Sequence, residues 1–215
     1  MRRVKRNYWQ AQAYSENANC FEQDASWNVV NPWASQGSGC NNPAGSVTGG
    51  GLKEVSLKDN TGAAMLVAFF RNLAPGEHPS FNGPDASFAL APGCTQKVAV
   101  PRNWQGRAQK FNGSTQDPSN WAEINFEPGE IGLPGPDKIW FDESDILGRN
   151  SSILMTGGDG VAGGIVKSVL GQAPSNLVVT DSSGQRVIKP PQWFDGVTNG
   201  DAVNFLRTTI GSDNA

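Results

Sequence analysis

Three charged side chains lie in predicted aromatic-rich strands between positions 101 and 150. Arg107 lies in NWQGRAQKF, Glu123 in WAEINFE, and Asp142 directly after the apolar run Ile-Trp-Phe in KIWFDESDILG. A charge inserted into such a strand needs either solvent on one face or an opposite charge nearby. A cleft lined by one arginine and two carboxylates is the simplest arrangement that satisfies all three.

Two carboxyl groups in one cleft can hydrolyse a glycosidic bond. They stand about 5 Å apart in retaining enzymes and about 6.5–9.5 Å apart in inverting ones. Glu123 lies close to Trp121 and Ile124, where desolvation would raise its pKa and suit it to be the acid. Asp142 would then be the base or nucleophile, while Trp121 or Trp140 edges the cleft. The Arg107 charge opposes this shift because it holds nearby carboxylates ionised.

Two other interpretations of these charges stay open. Arg107, Glu123 and Asp142 on neighbouring strands could form a buried ion-pair network that fixes the strand register. Glu143 and Asp145 flank Asp142, so oxygen ligands for Ca²⁺ are conceivable, although no loop spacing supports such a site.

The composition predicts the strand framework that positions these residues. The 215 residues include 26 Gly and 14 Pro, which is typical of a loop-rich all-β protein. Residues 1–50 read as an irregular leader ending at a Gly-Gly-Gly hinge, and residues 51–215 as one domain. Within that domain, an alternating strand from Leu52 and the apolar run AAMLVAFFRN predict a hairpin that turns at 59–62.

Further elements follow in order along the domain. Strands are expected near 104–111, 121–126 and 138–142, with another in SSILMT. LVVTDSSGQRVI predicts a hairpin with Ser-Ser-Gly at its turn. NGDAVNFLRTTIG is the best helix candidate, capped by Asn199 or Asp201.

The totals argue against several functional classes. The net charge of −3 argues against nucleic-acid binding, and no apolar run reaches the roughly 18 residues that cross a membrane. GGDGVAGG lacks the Lys-Ser/Thr ending of a phosphate-binding loop. With one His and no CxxC, no His-rich or Cys-rich metal site is expected, and no cofactor is expected either. The three cysteines predict one disulfide of undetermined pairing and one leftover thiol.

The start of the chain bears on localisation. Lys5-Arg6 is either a kexin-type processing site or part of a short basic tail behind an added start Met. The sequons at Asn112 and Asn150 are compatible with secretion.

Several segments, taken together, resemble the thaumatin-like proteins. KVAVPRNWQGRAQKF, NWAEINF and FDESDILGRN follow the order of the family's segments, and the last matches the pattern D-x-S-x-x-x-G-x-N through Asp142, Ser144, Gly148 and Asn150. EVSLKDNTGAAMLVAFF resembles the family's opening hairpin. The resemblance covers roughly residues 52–155, and the low cysteine count is similar to small fungal, effector-like members.

This resemblance implies a secreted thaumatin-like β-sandwich with loop-rich extensions, a short C-terminal helix and an acidic cleft. Arg107, Glu123 and Asp142 match the family's first three cleft residues, whereas Leu147 stands where a second Asp is usual. The remaining acid is unassigned. Its candidates are Asp159, Asp181, Asp195 and Asp201.

The sequence and the resemblance together predict a secreted, extracellular monomer that binds a cell-wall β-glucan or a host protein. Arg107, Trp121 and Trp140 are the predicted ligand-binding residues. The alternative is a β-1,3-glucanase that uses Glu123 and Asp142, and a purely structural surface protein would have the same sequence features.

Overall fold

The computed structural model describes residues 45–47, 49, 53–74, 81, 83–127, 138–157, 162–192 and 196–211, and the backbone of three short strands at 6–7, 22–23 and 29–30. Across these residues the chain is all-β, with several sheets and a single α-helix. The predicted all-β class is therefore confirmed.

The elements are numbered in chain order. The strands are β1 (Arg6–Asn7), β2 (Glu22–Gln23), β3 (Val29–Val30), β4 (Gly45–Ser46), β5 (Lys53–Lys58), β6 (Met65–Arg71), β7 (Ala86–Leu90), β8 (Thr95–Val100), β9 (Gln105–Lys110), β10 (Trp121–Glu127), β11 (Lys138–Ser144), β12 (Ile153–Thr156), β13 (Ala162–Ile165), β14 (Val178–Thr180) and β15 (Arg186–Ile188). Single 3-10 turns at Leu170–Gln172 and Ser175–Leu177 precede β14, and helix α1 (Gly200–Ile210) follows β15.

Two sheets build the core. The larger has the order β1-β11-β10-β9-β6-β7 with every neighbouring pair antiparallel, and the smaller has the order β4-β8-β5. Val55 and Leu57 of the smaller sheet belong to the same buried cluster as Val67, Phe69 and Ile124 of the larger one. Burial of this shared apolar surface is the main force that holds the two sheets together.

Strand β10 shows how the larger sheet presents two different faces. Ala122, Ile124 and Phe126 point inward and are buried in or against the shared core. Successive side chains of a strand alternate between faces, so Glu123 and Asn125 point outward. This outer face of the larger sheet carries the predicted site residues.

The hairpin predicted between β5 and β6 is wrong. β5 pairs with β8 in the smaller sheet, whereas β6 lies between β7 and β9 in the larger one. The turn between them exists, with the Asp59 carboxylate accepting a hydrogen bond from Thr61 N–H at 2.7 Å, but it carries the chain across the core. Because β6 is buried along almost its whole length, it needs a neighbouring strand on each side.

The other strand predictions inside the domain are confirmed. β9, β10, β11 and β12 lie where the sequence places them, and β14 and β15 form the predicted hairpin. Helix α1 is also confirmed, and Asn199 is its cap, with its side-chain oxygen accepting from Ala202 N–H at 3.2 Å. Asp201 lies in the first turn instead, where its charge favours the helix dipole.

Part of the predicted leader contributes to the core. Gly45 and Ser46 pair in parallel with β8, and Val47 is buried in the shared cluster. Cys94 is disulfide-bonded, which fits the predicted single bridge, while Cys20 and Cys40 lie outside the described residues. The division of the chain at residues 50 and 51 stays a prediction.

Candidate functional site

The larger sheet brings the three predicted charged residues into one cross-strand row. Glu123 lies directly opposite Arg107 of β9 on one side and opposite Asp142 of β11 on the other. The neighbouring rows contain Trp121 opposite Ser144, and Asn125 opposite Trp140. Since side chains two residues apart share a face, all five predicted site residues lie on the outer face.

Arg107 is enclosed by aromatic rings. Its guanidinium carbon lies 4.3 Å from the ring centre of Phe70, 4.8 Å from that of Phe81 and 4.2 Å from that of Trp121. The side chain is 1% exposed, and its Nε donates to the Gln109 side chain at 2.6 Å. Burial lowers the pKa of Arg107 to about 9, although the Glu123 charge raises it, so the guanidinium stays charged at neutral pH.

Glu123 is half-buried and opposes a second carboxyl group. Burial is the largest cause that raises its pKa, and the charge of Asp142 raises it further. A hydrogen bond from the Ser144 side chain and the charge of Arg107 lower it, and the net result is a pKa of about 7. Near neutral pH, therefore, both the acid and the carboxylate form of Glu123 are populated.

Close ion pairs do not link Arg107, Glu123 and Asp142 to one another in the described part of the chain. Within the described part of the chain, Arg107 makes no ion pair with either carboxylate, and the observed pairs lie elsewhere. The three aromatic rings hold the guanidinium close to Gln109, and Asp142 lies exposed at the far end of the row. The charges of Arg107 and Glu123 still act on each other's pKa, so the interpretation of this row as a register-fixing network stays a prediction.

Several buried polar atoms of the outer face are unsatisfied. Arg107 Nη1, Asn125 Oδ1 and Trp140 Nε1 have no hydrogen-bond partner among the residues described. Two of these atoms are donors and one is an acceptor. Native proteins pair nearly all buried polar atoms, so such a group is compatible with ordered water or a ligand. Four more atoms of this kind lie elsewhere, on Asp59, Asn72, Asn150 and Ser152.

A sealed ion cluster lies on the other face of β11. Arg149 Nη1 is 2.6 Å from Glu143 Oε1 and 3.1 Å from Asp145 Oδ1, and all three side chains are at most 5% exposed. Arg149 Nη2 donates to the Ile165 carbonyl at 2.7 Å, and Asn120 Nδ2 donates to Glu143 at 2.6 Å. The cluster ties β11, the turn after it and β13 together.

Burial dominates the electrostatics of this sealed cluster. It raises the pKa of Glu143 to about 7, although the Arg149 charge opposes the shift. It also raises the pKa of Asp145 above its ordinary value, again against the effect of Arg149. Two carboxyl groups thus share one guanidinium, and the interpretation of Glu143 and Asp145 as Ca²⁺ ligands does not fit, because both bind Arg149.

Sequence reasoning missed this cluster, although one signal was present. Glu143 follows the inward-facing Ile139 and Phe141 at strand spacing, so its side chain had to point into the protein. A buried carboxylate needs a cation, and Arg149 follows six residues later.

The other acidic candidates do not join the outer row. Leu147 is buried at the position where the resemblance implies an aspartate. Asp181 accepts bonds from Ser183 and Gln185 within its own turn, and Asp201 lies in helix α1. Asp159 and Asp195 lie outside the described residues.

Neither the protein-family models nor the curated proteins compared with this chain give a match. Among the described residues, His, Cys, Asp and Glu side chains form no group of three that could hold a metal ion. No helix in the described ranges has the length and apolar character needed to cross a bilayer.

Proposed function

We propose that this protein is a secreted thaumatin-like β-sandwich that binds a cell-wall β-glucan on the outer face of its larger sheet. Two sheets that share one core and the ordered motifs between 52 and 155 support the family assignment. The observation that carries the binding function is the set of unsatisfied polar atoms beside the exposed Asp142.

A polysaccharide suits this set of atoms better than a purely apolar ligand. Each sugar hydroxyl both donates and accepts, so neighbouring hydroxyls can satisfy an indole N–H, an amide oxygen and a carboxylate together. Trp140 is half-buried and supplies a flat apolar surface with a polar edge. Arg107 is too buried for broad contact with a ligand, and we assign it to positioning Trp121 and to setting the charge near Glu123.

Retention on insoluble β-glucan tests the proposal. Trp140→Ala should weaken retention about tenfold, because it removes both the ring surface and the unsatisfied N–H. Val166→Ala is the matched control, since Val166 is 60% exposed and lies outside the outer face. Equal retention of the two variants, or no retention of the parent protein, would contradict glucan binding at this face.

Hydrolysis of β-1,3-glucan is a second candidate with its own observation in favour. Glu123 and Asp142 are directly opposed, and such cross-strand pairs have Cβ atoms about 4.5–5.5 Å apart, near the carboxyl separation of retaining enzymes. With a pKa of about 7, Glu123 would hold its proton in mildly acidic solution.

A reducing-end assay on laminarin separates the enzyme from the binder. Activity should fall as the pH rises above 7, where Glu123 loses its proton, and Glu123→Gln should abolish it at every pH. Glu54→Gln, which changes an exposed carboxylate of the smaller sheet, is the control. Turnover that survives in Glu123→Gln excludes this mechanism.

A further inference from the structure

Cys94 lies in a hydrogen-bonded turn that leads into strand β8 of the smaller sheet. It is disulfide-bonded and 4% exposed. Its N–H donates to the Ala91 carbonyl at 3.0 Å, and its own carbonyl accepts from Asp59 N–H at 3.0 Å. Both bonds fix its backbone, so the partner cysteine has to reach Cys94 where it stands. Because the chain has three cysteines, that partner is Cys20 or Cys40.

Strand β4 brings the preceding chain to the same end of the smaller sheet. Its first residue, Gly45, lies beside Val98 of β8, and the two strands are parallel. In a parallel pair, the residues that precede both strands lie at the same end of the pair. Cys94 comes four residues before Val98, and Cys40 comes five residues before Gly45. The register of β4 therefore directs the chain around Cys40 towards the turn that contains Cys94.

We infer that Cys40 is the disulfide partner of Cys94 and that Cys20 is the leftover thiol. The register of β4, counted back by four residues, aligns Asn41 with Cys94. Cys40 is the next residue, one Cα step of about 3.8 Å further along the chain. The Cα atoms of a disulfide stand about 4.4–6.8 Å apart, so the bond needs only a small departure from this register.

Cys20 is the competing partner, and the length of chain between it and β4 disfavours it. Cys20 comes 25 residues before Gly45, whereas Cys40 comes five residues before it. The probability that two positions of a flexible chain meet falls with about the −3/2 power of their separation, which favours Cys40 about tenfold. The described strand nearest to Cys20 is β2, which lies close to β7. Its hydrogen-bonded partner is β3, so among the described strands no ladder directs Cys20 to the turn.

This pairing makes the last part of the N-terminal leader a covalent part of the domain. Val47 is already buried in the core that the two sheets share, and the disulfide adds a second attachment seven residues earlier in the chain. A protease cut at the Gly-Gly-Gly segment would then leave both fragments joined. A cut between Cys20 and Cys40 would release the fragment that contains Cys20, whereas a bond from Cys20 to Cys94 would retain it. The inference does not depend on the proposed glucan binding.

Peptide mapping of the unreduced full chain tests the pairing. The protein is denatured in urea with N-ethylmaleimide at mildly acidic pH, where thiolates that exchange disulfides are scarce, and is then cleaved after glutamate. Cleavage at these positions places the three cysteines in the separate fragments 17–22, 23–54 and 78–123. Fragments 23–54 and 78–123 should be joined until reduction, and fragment 17–22 should carry the maleimide. A bond from 17–22 to 78–123, or both bonds in similar amounts, overturns the inference.

Serine variants provide a second measurement with a matched control. Cys40→Ser should lower the midpoint of thermal unfolding by about 5–15 °C, because it removes a crosslink that closes a long loop. Cys20→Ser, which removes the leftover thiol, should leave the midpoint unchanged and keep the bond between fragments 23–54 and 78–123. If Cys40→Ser fails to fold, the peptide map of Cys20→Ser still decides the pairing. A large loss of stability in Cys20→Ser with none in Cys40→Ser overturns the inference.

Discussion

Strand β11 separates two groups of one arginine and two carboxyl groups that differ in burial and in pairing. Glu143 points inward to Arg149, where every charged atom lies within a sealed and hydrogen-bonded cluster. The preceding residue, Asp142, points outward to solvent, and the nearest arginine of its row is held by aromatic rings instead of carboxylates. Glu143 therefore stabilises the fold on one face of the strand. In our proposal, its neighbour Asp142 lies on the ligand-binding face.

The difference between these two groups shows how a charge that stabilises the fold can be distinguished from one that binds a ligand. A buried ion cluster is tolerated when each group is paired and hydrogen-bonded, as around Arg149. Polar atoms that stay unsatisfied carry a cost in folding, and they indicate a partner that the folded chain does not itself provide.

Removal of the inner arginine should have the largest effect. Arg149→Met leaves two buried carboxyl groups without their cation, and we expect a loss of about 3–5 kcal/mol in the free energy of unfolding. Urea denaturation measures this loss of unfolding free energy. Lys97→Met, which breaks the exposed pair with Glu54, should cost no more than about 1 kcal/mol. Similar losses in both variants would show that the inner cluster is not architectural.

The pH dependence of stability should be the next effect in size. The pKa of Glu143 is about 7 in the folded protein against an ordinary value of 4.5, so the folded state binds more protons between these values. Its contribution is therefore fully present below about pH 4.5 and is lost as the pH rises through 7, a change on the order of 1–3 kcal/mol.

Glu123 adds to the same trend, since its pKa is raised to a similar value. Denaturation curves between pH 5 and pH 8 should become flatter in Glu143→Gln and flatter again in the double variant with Glu123→Gln. A parent protein that grows more stable with rising pH over this interval would contradict the proton balance of both groups.

The smallest effect is expected from the outer arginine. Arg107→Met replaces a buried cation, which pairs with no carboxylate in the described ranges, by an apolar chain of similar length. The unfolding free energy should change by no more than about 1 kcal/mol. The lost ring contacts and the gain from avoiding a desolvated charge act in opposite directions. A loss of unfolding free energy as large as that of Arg149→Met would show that both arginines stabilise the fold to the same extent. That result would contradict the proposed difference between the two faces.

The sequence predicted the strands of the site well but not their partners. The alternation around Ala122, Glu123 and Ile124 is local, so it identifies both the strand and its outward face. Whether Arg107 and Asp142 stand directly opposite Glu123 depends on register, which the whole sheet sets. For the same reason the turn at 59–62 was recognisable, whereas the sheet that receives β6 was not.

The inner cluster could not be predicted from local sequence patterns, because it depends on contacts between residues that are distant in the chain. Arg149 reaches Glu143 because the chain reverses after β11, with Gly148 N–H donating to the Asp145 carbonyl at 2.9 Å. Gly148 has a φ of +95°, and a Cβ there would collide with the Ile188 carbonyl oxygen. The composition of the segment allows that turn, but only the packing of β15 requires it.

The most direct test of the outer face as a recognition surface is an NMR titration of the folded protein with soluble β-1,3-glucan oligomers. The account predicts that the indole N–H resonance of Trp140 and the side-chain amide of Asn125 shift with saturation, while the Arg149 and Asn120 side-chain signals stay fixed. Saturable shifts confined to the Arg149 cluster, or to residues away from β10 and β11, would contradict it.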